Sequence, residues 1–239
     1  MKFHFLGTSY GAPTAERHCQ SILIETTDDS AYLVDVGAPV IDILVKQGYD
    51  LTKIKGIFIT HRHGDHLNGL FDIQYLAGVY GMRCKVYVPE QRIIDFMQEY
   101  FTMQFGDMKN ELITYEVIKE GICCIDGGLK VMAFRTAHLE ASYGFIIEQE
   151  GIKVCITGDL SASLEDFPQD LRNENISLLV TECAHFDLDT IMKKIRENNF
   201  KRVAFLHVFP TIKYEYMKKQ ATDSTIEILL PKDGDFYEL

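Results

Sequence analysis

Apolar residues recur along this chain with two different periods. Short runs that alternate apolar and polar positions, or that are wholly apolar and β-branched, predict strands. The predicted strands cover residues 1–7, 21–26, 31–36, 54–60, 84–88, 114–118, 129–136, 142–149, 152–157, 176–181, 202–207 and 225–230. Apolar positions spaced by three and four residues predict helices near residues 40–47, 67–79, 90–102, 187–198 and 213–221.

The order of these elements indicates the architecture. The strands fall into two groups with helices interspersed in each, which is typical of two sheets packed face to face with helices outside. We therefore predict an α/β fold, a four-layer αββα sandwich of two mixed sheets with outer helices. No linker, low-complexity block or short-period repeat interrupts the chain, and 46% of its 239 residues are hydrophobic. We expect residues 1–239 to form one domain.

Composition excludes some classes of function. The net charge is −11, with 35 acidic against 24 basic residues, which argues against a broad basic face for nucleic acid. A small anionic substrate remains compatible with this charge if bound metal ions dominate the field at the site. The six cysteines show no Cys-x-x-Cys pair, which predicts reduced thiols in a cytoplasmic protein.

The chain shows no sign of a membrane segment or of a secretion signal. No apolar stretch approaches the roughly 18 residues that are needed to span a bilayer. The opening residues 1–6 alternate as a strand and lack a long apolar segment followed by a cleavage site. We expect neither a membrane anchor nor a signal peptide.

The densest cluster of reactive side chains follows the apolar run 57–59. His61, His63, Asp65 and His66 fall within six positions. In an extended segment, residues two apart point the same way, so His61 and His63 can present their rings side by side. Imidazole and carboxylate are the ligands that Zn²⁺ and similar ions prefer. This cluster predicts a metal site.

Three further residues of ligand type each follow a predicted strand: His138, Asp159 and His207. Loops at strand ends are where a rigid scaffold displays functional groups. Any one of them could be a structural residue, but their common placement favours a single site.

The chain resembles the metallo-β-lactamase fold superfamily of metal-dependent hydrolases over nearly its whole length. The resemblance rests on Gly7-Thr8-Ser9, Asp35-Val36-Gly37, the His-x-His-x-Asp-His motif at 61–66, and the three later ligands. It implies that His61, His63 and His138 hold one ion, that Asp65, His66 and His207 hold a second, and that Asp159 bridges the two. It also implies that the metals lie at one edge between the sheets.

Two such divalent ions, Zn²⁺ with Mn²⁺ or Fe as alternatives, can share a water and lower its pKa. The bridging hydroxide is then the expected nucleophile, and no Gly-x-Ser-x-Gly motif supplies a rival. We expect the carboxylate of Asp35 to orient a metal-binding histidine through its second ring nitrogen. A turn-forming Asp before Gly37 is the alternative.

Within the superfamily, the true β-lactamases resemble one another in having Cys at the position of Asp159. The Asp at this position therefore disfavours a β-lactamase. The segments 5–9 and 17–21 resemble the ribonuclease Z and small phosphodiesterase branch. The chain departs from ribonuclease Z at Cys155, where that family has Glu, and at 181–184, where Thr-Glu-Cys-Ala replaces His-Glu-Ala-Thr. Asp159 follows His138 by only 21 positions, which a hairpin fills without room for a tRNA-gripping arm. This favours a small phosphodiester, cyclic or nucleotide-derived.

We predict that Asp65, Glu182 and His185 are catalytic. His185 follows a predicted strand, as the ligands do, and with Glu182 it could protonate the leaving group. The alternative for His185 is a surface or capping residue beside Asp187 and Asp189.

Two other functions stay open. A thioesterase or lactonase would use the same metal centre to attack a carbonyl group. Lactonases resemble one another in a catalytic tyrosine near the site, and the candidates here are Tyr143 and Tyr10. A non-hydrolytic metal-binding module is the third reading, against which the complete ligand set speaks.

The segment Gln91–Phe105 is rich in aromatic residues at helical spacing. Such a stripe usually packs in a core, but it could also wall the active site or form a dimer interface. Homodimerisation is implied by the resemblance alone.

Overall fold

The computed structural model describes residues 1–108, 110–169, 171, 174–207, 211–223 and 225–239. The strands are β1 (Lys2–Gly7), β2 (Ser21–Glu25), β3 (Ala31–Val36), β4 (Ile54–Phe58), β5 (Cys84–Val88), β6 (Ile113–Val117), β7 (Gly121–Asp126), β8 (Leu129–Arg135), β9 (Tyr143–Gln149), β10 (Ile152–Ile156), β11 (Ile176–Glu182), β12 (Arg202–Leu206), β13 (Glu227–Leu229) and β14 (Phe236–Glu238). The α-helices are α1 (Val40–Lys46), α2 (Gly64–Leu67), α3 (Leu70–Tyr80), α4 (Gln91–Phe105), α5 (Leu188–Glu197) and α6 (Thr211–Asp223), and a short 3₁₀ helix spans Leu51–Lys53.

Two seven-stranded mixed sheets form the centre of the fold. The first has the order β14-β1-β2-β3-β4-β5-β6 and the second has the order β13-β12-β11-β10-β9-β8-β7. Strands β3 to β6 run parallel to one another, as do β10 to β13. The predicted fold class, two mixed sheets in an α/β sandwich, is confirmed.

Three layers of apolar contact hold the sandwich together. Between the sheets pack large fully buried side chains such as Phe5, Phe58, Phe145 and Leu206. A second core lies between the first sheet and helices α1, α3 and α4, and a third lies between the second sheet and α5. Strands with both faces covered are apolar on both faces, and all six residues of β3 are accordingly buried.

The direction of the parallel strands determines where the candidate ligands lie. β3 and β4 end at one edge of the first sheet, and β10, β11 and β12 end at the corresponding edge of the second. Chain segments that leave parallel strands in this way meet at the same edge of a sheet. The loops that carry the candidate ligands are therefore brought together.

The predicted strands all occur in the structure, and each of their boundaries lies within two residues of the predicted one. Two strands were missed. β7 exposes Ile122 and Ile125 and so lacks a clean alternation, and β14 has only three residues. The hairpin predicted between His138 and Asp159 is confirmed, because β9 pairs antiparallel with β10 through the turn at Glu150 and Gly151.

The aromatic stripe on α4 divides between core and surface. Ile93, Ile94 and Met97 are buried, as the core interpretation predicts. Phe96 and Met103 are 59% and 72% exposed, beside exposed side chains of α3. One face of α4 thus packs in the core, and the other leaves apolar side chains exposed on the surface.

Within the described ranges, no helix combines the length and the apolar character that crossing a membrane requires.

Candidate metal centre

The loop that follows β4 carries the first four candidate ligands. The chain stays extended to His63, whose φ and ψ are −66° and 145°, and then enters the short helix α2. His61 is fully buried, and its Nε2 lies 3.0 Å from Nδ1 of His63. The two rings therefore stand side by side, as the two-residue spacing predicts, while Asp65 and His66 are on α2.

The carboxylate of Asp35, near the end of β3, forms hydrogen bonds with residues of this loop. It is fully buried and accepts hydrogen bonds from the backbone N–H of Thr60 (2.8 Å) and from Nδ1 of His66 (2.8 Å). Asp35 has φ +58°, which is uncommon for any residue but glycine. The side chain therefore orients a candidate ligand, and the turn-forming role alone does not describe it.

The positions of these partners assign the ring protons. Oγ1 of Thr60 lies 3.0 Å from both Asp35 oxygens and 3.0 Å from Nδ1 of His61. A hydroxyl that donates to the carboxylate accepts from the ring N–H of His61. His61 then carries its proton on Nδ1 and presents the lone pair of Nε2, and His66 donates from Nδ1 to Asp35.

One group of ligand atoms joins both sheets. Nδ1 of His63 lies 3.0 Å from Nε2 of His61 and 3.2 Å from Nε2 of His138, which follows β8. Oδ2 of Asp159, which follows β10, lies 3.8 Å from Nε2 of both His61 and His138. Three imidazole nitrogens and a carboxylate oxygen thus converge.

A second group adjoins the first. Oδ2 of Asp65 lies 3.3 Å from Nε2 of His66 and 3.1 Å from Nε2 of His207, which follows β12. Nε2 of His207 also lies 3.8 Å from Oδ2 of Asp159. The same carboxylate oxygen of Asp159 therefore faces ligand nitrogens of both groups, and the structure brings all seven predicted ligands together.

Two tight features of the backbone allow this convergence. A Cβ on Gly37 would lie 1.6 Å from the carbonyl oxygen of Asp65, so only glycine lets β3 approach α2 this closely. His207 has φ +54°, and its backbone N–H donates to the carbonyl of Thr8 at 3.1 Å. The loop after β1 thus holds His207 in an uncommon conformation, and such strain persists where surrounding structure enforces it.

Burial keeps three histidines neutral. Burial lowers the pKa of His61 to about 2, and burial also lowers the pKa values of His63 and His138. A neutral imidazole has a free lone pair, which is the form that binds a metal. At neutral pH the first group therefore offers three such lone pairs.

In the second group, charged neighbours rather than burial determine the pKa values. Burial alone would lower the pKa of His66, but the carboxylates of Asp159 and Asp35 outweigh it and raise that pKa well above its usual value. Burial raises the pKa of Asp65 and of Asp159, but facing histidines outweigh it and lower both pKa values. The carboxylates are thus ionised at neutral pH.

The donor set fits divalent cations. Zn–N bonds of about 2.0–2.1 Å in tetrahedral geometry place ligand nitrogens about 3.3 Å apart, close to the 3.0 and 3.2 Å separations around His63. Nε2 of His66 and Oδ1 of Asp159 are buried without a hydrogen-bond partner in the described part of the chain, and they face each other at 3.5 Å. Such unpartnered atoms are costly unless an ion or water satisfies them.

Glu182 and His185 border the second group. Glu182 is buried and accepts from the backbone N–H groups of Leu160, Ala184 and His185 at 2.9 to 3.1 Å. Nδ1 of His185 lies 2.8 and 2.9 Å from the two oxygens of Glu182, and this hydrogen bond raises the pKa of His185. His185 is exposed and its Nδ1 lies 3.8 Å from Oδ2 of Asp159, so the ring is at the site.

Sequence reasoning did not find every residue that builds the site. Thr60 relays the contact between Asp35 and His61, and its position directly before His61 could have indicated this. Tyr143 offers little to a catalytic role here, because its hydroxyl contacts Arg135 and the carbonyl of Ile118.

Comparison with known proteins agrees with this geometry. A ribonuclease Z of Lactobacillus acidophilus is 30% identical over 155 residues, which are 63% of this chain and 49% of that protein. The chain thus matches about half the length of this curated relative.

Two solved structures share the fold. YhfI of Bacillus subtilis, a metallo-β-lactamase fold protein, superimposes with a TM-score of 0.82 at 20% identity, covering 99% of this chain and 98% of that one. The short form of human tRNase Z superimposes with a TM-score of 0.79 at 21% identity, covering 100% and 99%.

The two facing sheets and the cluster of candidate ligands at their edge define a metallo-β-lactamase fold. Within that class, the chain belongs to the family described as Anti-Pycsar protein Apyc1, whose model matches residues 1–197. The matched range includes every candidate ligand except His207.

We predict that Asp35→Asn weakens metal binding about 10- to 100-fold, the usual effect of removing a partner that orients a ligand. Asn tolerates positive φ, so the backbone should persist while the amide can no longer accept from both Thr60 and His66 as the carboxylate does. Chelator competition with Zn²⁺ measures the affinity.

Asp42→Asn is the matched control, because Asp42 is an exposed carboxylate that pairs with Lys46 on α1. It should bind Zn²⁺ as the unsubstituted protein does. Equal affinity in the Asp35→Asn protein would show that the carboxylate does not orient His66.

Proposed function

We propose that this chain is a metal-dependent hydrolase that cleaves a small phosphodiester, either cyclic or nucleotide-derived. The observation that carries the proposal is the position of Asp159, whose Oδ2 lies 3.8 Å from ligand nitrogens of both groups. One carboxylate shared by two ligand groups is suited to a pair of ions about 3.5–4 Å apart, the spacing found in phosphatases and nucleases.

The names of similar proteins point to the same bond. A ribonuclease Z and a tRNase Z act on RNA, whose backbone is a phosphodiester. The connection from His138 to Asp159 is only the β9–β10 hairpin, which favours a substrate smaller than tRNA. The net charge of −11 likewise disfavours a broad nucleic-acid surface.

We infer that His61, His63 and His138 hold one ion, that Asp65, His66 and His207 hold another, and that Asp159 serves both. Zn²⁺ suits this mixture of imidazole and carboxylate, with Mn²⁺ or Fe as alternatives. When bound, the two ions would supply an activated water, expected as a bridging hydroxide, and positive charge for an anionic transition state.

The remaining chemistry belongs to the chain itself. Asp65, 12% exposed at its side chain, is the more accessible of the two ligand carboxylates and is suited to accept a hydrogen bond from the attacking water. His185 is suited to protonate the departing oxygen, because Glu182 engages its Nδ1 and leaves Nε2 for exchange. Glu182, saturated by backbone donors, orients His185 and the Asp159 loop.

We propose a small anionic substrate as the binding partner, drawn to the metal charge. We also propose a cytoplasmic location, on the basis of six cysteines without a disulfide spacing.

We predict about two divalent metal ions per purified chain and chelator-sensitive cleavage of bis(p-nitrophenyl) phosphate and of cyclic nucleotides. Mass spectrometry measures the metal, and release of nitrophenol or of nucleotide monophosphate measures the activity. His61→Ala should lose activity and about one of the two ions. His4→Ala, which removes a histidine on β1 that is bonded to Glu25, should keep the activity and both ions.

A parallel panel of lactones and thioesters tests the alternative hydrolase. Two metals with turnover only of these carbonyl substrates would replace the phosphodiesterase proposal. No metal after reconstitution would overturn the metal centre itself.

We predict that His185→Ala lowers kcat by about 10²–10⁴ with metal content unchanged, the usual range for loss of a proton donor. His185→Gln separates the roles, because glutamine can still hydrogen-bond Glu182 but cannot donate a proton to the leaving group. Unchanged kcat in both variants, or loss of metal, would show that His185 is not the general acid.

We propose that a second copy of this chain covers the exposed apolar face of α3 and α4, which includes Tyr75, Val79, Phe96 and Met103. An exposed apolar patch formed by two helices marks an association site, and a two-fold axis places one such face against itself.

The expected result is a dimer in light scattering that Phe96→Glu converts to monomers. Ile122→Glu is the matched control, since Ile122 is 57% exposed on β7 in the other sheet. A monomeric unsubstituted protein would contradict this interface.

A further inference from the structure

Two of the candidate ligands lie on loops that leave different strands. His138 is on the loop between β8 and β9, and Asp159 is on the loop that follows β10. Their ligand atoms, Nε2 and Oδ2, lie 3.8 Å apart. A metal site tolerates little change in such a separation, so the two loops must be held together by contacts outside the ligand set.

Asp166 makes those contacts. Its Oδ2 accepts from the backbone N–H of Ala137 at 2.6 Å and from the backbone N–H of Ser161 at 2.9 Å. Its Oδ1 accepts from the hydroxyl of Ser161 at 2.7 Å. Ala137 directly precedes His138, and Ser161 is two residues after Asp159, so a single carboxylate joins both ligand loops.

The turn from 161 to 167 is built to hold this carboxylate in place. Leu164 is fully buried with φ +54°, an uncommon conformation for a leucine. Phe167, 3% exposed, is anchored in the same apolar cluster beside α5. The backbone N–H of Leu164 donates to the carbonyl of Ser161 and that of Phe167 to the carbonyl of Leu164, which closes the turn.

The hydrogen bonds of the two loops converge on the side chain of Asp166. In the described part of the chain, two backbone N–H groups donate to its Oδ2, and the hydroxyl of Ser161 donates to its Oδ1. An asparagine could keep both backbone bonds through its one oxygen and donate through its NH₂ group to the hydroxyl oxygen of Ser161, because a hydroxyl both donates and accepts. Alanine at this position removes all of these bonds, and with them the link between the two loops.

We propose that Asp166 is a positioning residue that fixes His138 relative to Asp159 and thereby sets the affinity of the ligand group His61, His63, His138 and Asp159 for its metal ion. This inference rests on the proposed function only in requiring that the group binds a metal. It assigns Asp166 no contact with substrate and no share in proton transfer.

The experiment is a stepwise Zn²⁺ titration of the metal-free protein in competition with a chromophoric chelator. His138→Ala and His207→Ala first assign the two binding steps to the two ligand groups. Asp166→Ala is then expected to weaken only the step that His138→Ala removes, by about 10- to 100-fold. Combined with His207→Ala it should keep this effect, and combined with His138→Ala it should leave the remaining step unchanged.

Two further variants separate positioning from general stability. Ser161→Ala removes only the hydroxyl donor and should weaken the same step by a smaller factor, which keeps the test valid if Asp166→Ala does not fold. Asp50→Ala is the matched control, because Asp50 also accepts from a backbone N–H and a hydroxyl, those of Thr52, ahead of β4 at the opposite end from the site. It should leave both steps unchanged.

The outcomes are distinguishable. Two wild-type steps in every Asp166 and Ser161 variant, or equal weakening of both steps, would overturn the role of Asp166 while leaving the proposed function intact. A failure of the unsubstituted protein to bind Zn²⁺ would overturn both.

Discussion

The buried carboxylate of Asp35 is the interaction on which the site and its surroundings depend. It receives the backbone N–H and hydroxyl of Thr60 and the ring N–H of His66. Each of these donors would be left unpaired in the interior without it, at about 1–3 kcal/mol apiece. That cost explains why an aspartate persists in a left-handed conformation at the end of a wholly buried strand.

Thr60 connects the Asp35 carboxylate of the first sheet to the second sheet. Its carbonyl accepts from the backbone N–H of Tyr143 at 3.0 Å, so the residue that contacts Asp35 in the first sheet also bonds to β9 of the second. The candidate ligands are divided in the same way: those within residues 61–66 come from the first sheet, and His138, Asp159 and His207 come from the second. Packing of the two sheets through their common core is therefore a condition for the ligand cluster.

The sequence predicted most of the fold because burial imposes a pattern on it. Strands covered on both faces, such as β3, are apolar at nearly every position, with Asp35 as the exception in β3. The candidate ligands were visible as reactive residue types at strand ends. β7 was missed because Ile122 and Ile125 are apolar but face solvent. Its sequence therefore does not alternate between apolar buried and polar exposed positions.

The residues that hold the ligands were harder to predict. Asp166 and Ala137 are 29 positions apart, and no local pattern links a carboxylate to a backbone N–H at such a distance. Glu182 was expected to take part in catalysis, but its saturation by three backbone N–H groups depends on the turn at 182–185. Contacts of this kind arise from tertiary structure and leave little trace in residue order.

The division of the ligands between two distant stretches of chain has a consequence for biosynthesis. A ribosome delivers His61, His63, Asp65 and His66 well over a hundred residues before His207, so a nascent chain displays one part of the candidate ligand cluster before the rest exists. Domains begin to fold as the chain emerges, and exposed incomplete sheets are prone to misassembly. Because a cation that binds only the complete cluster favours the folded chain by mass action, intracellular metal supply would influence how many newly made chains reach the native state.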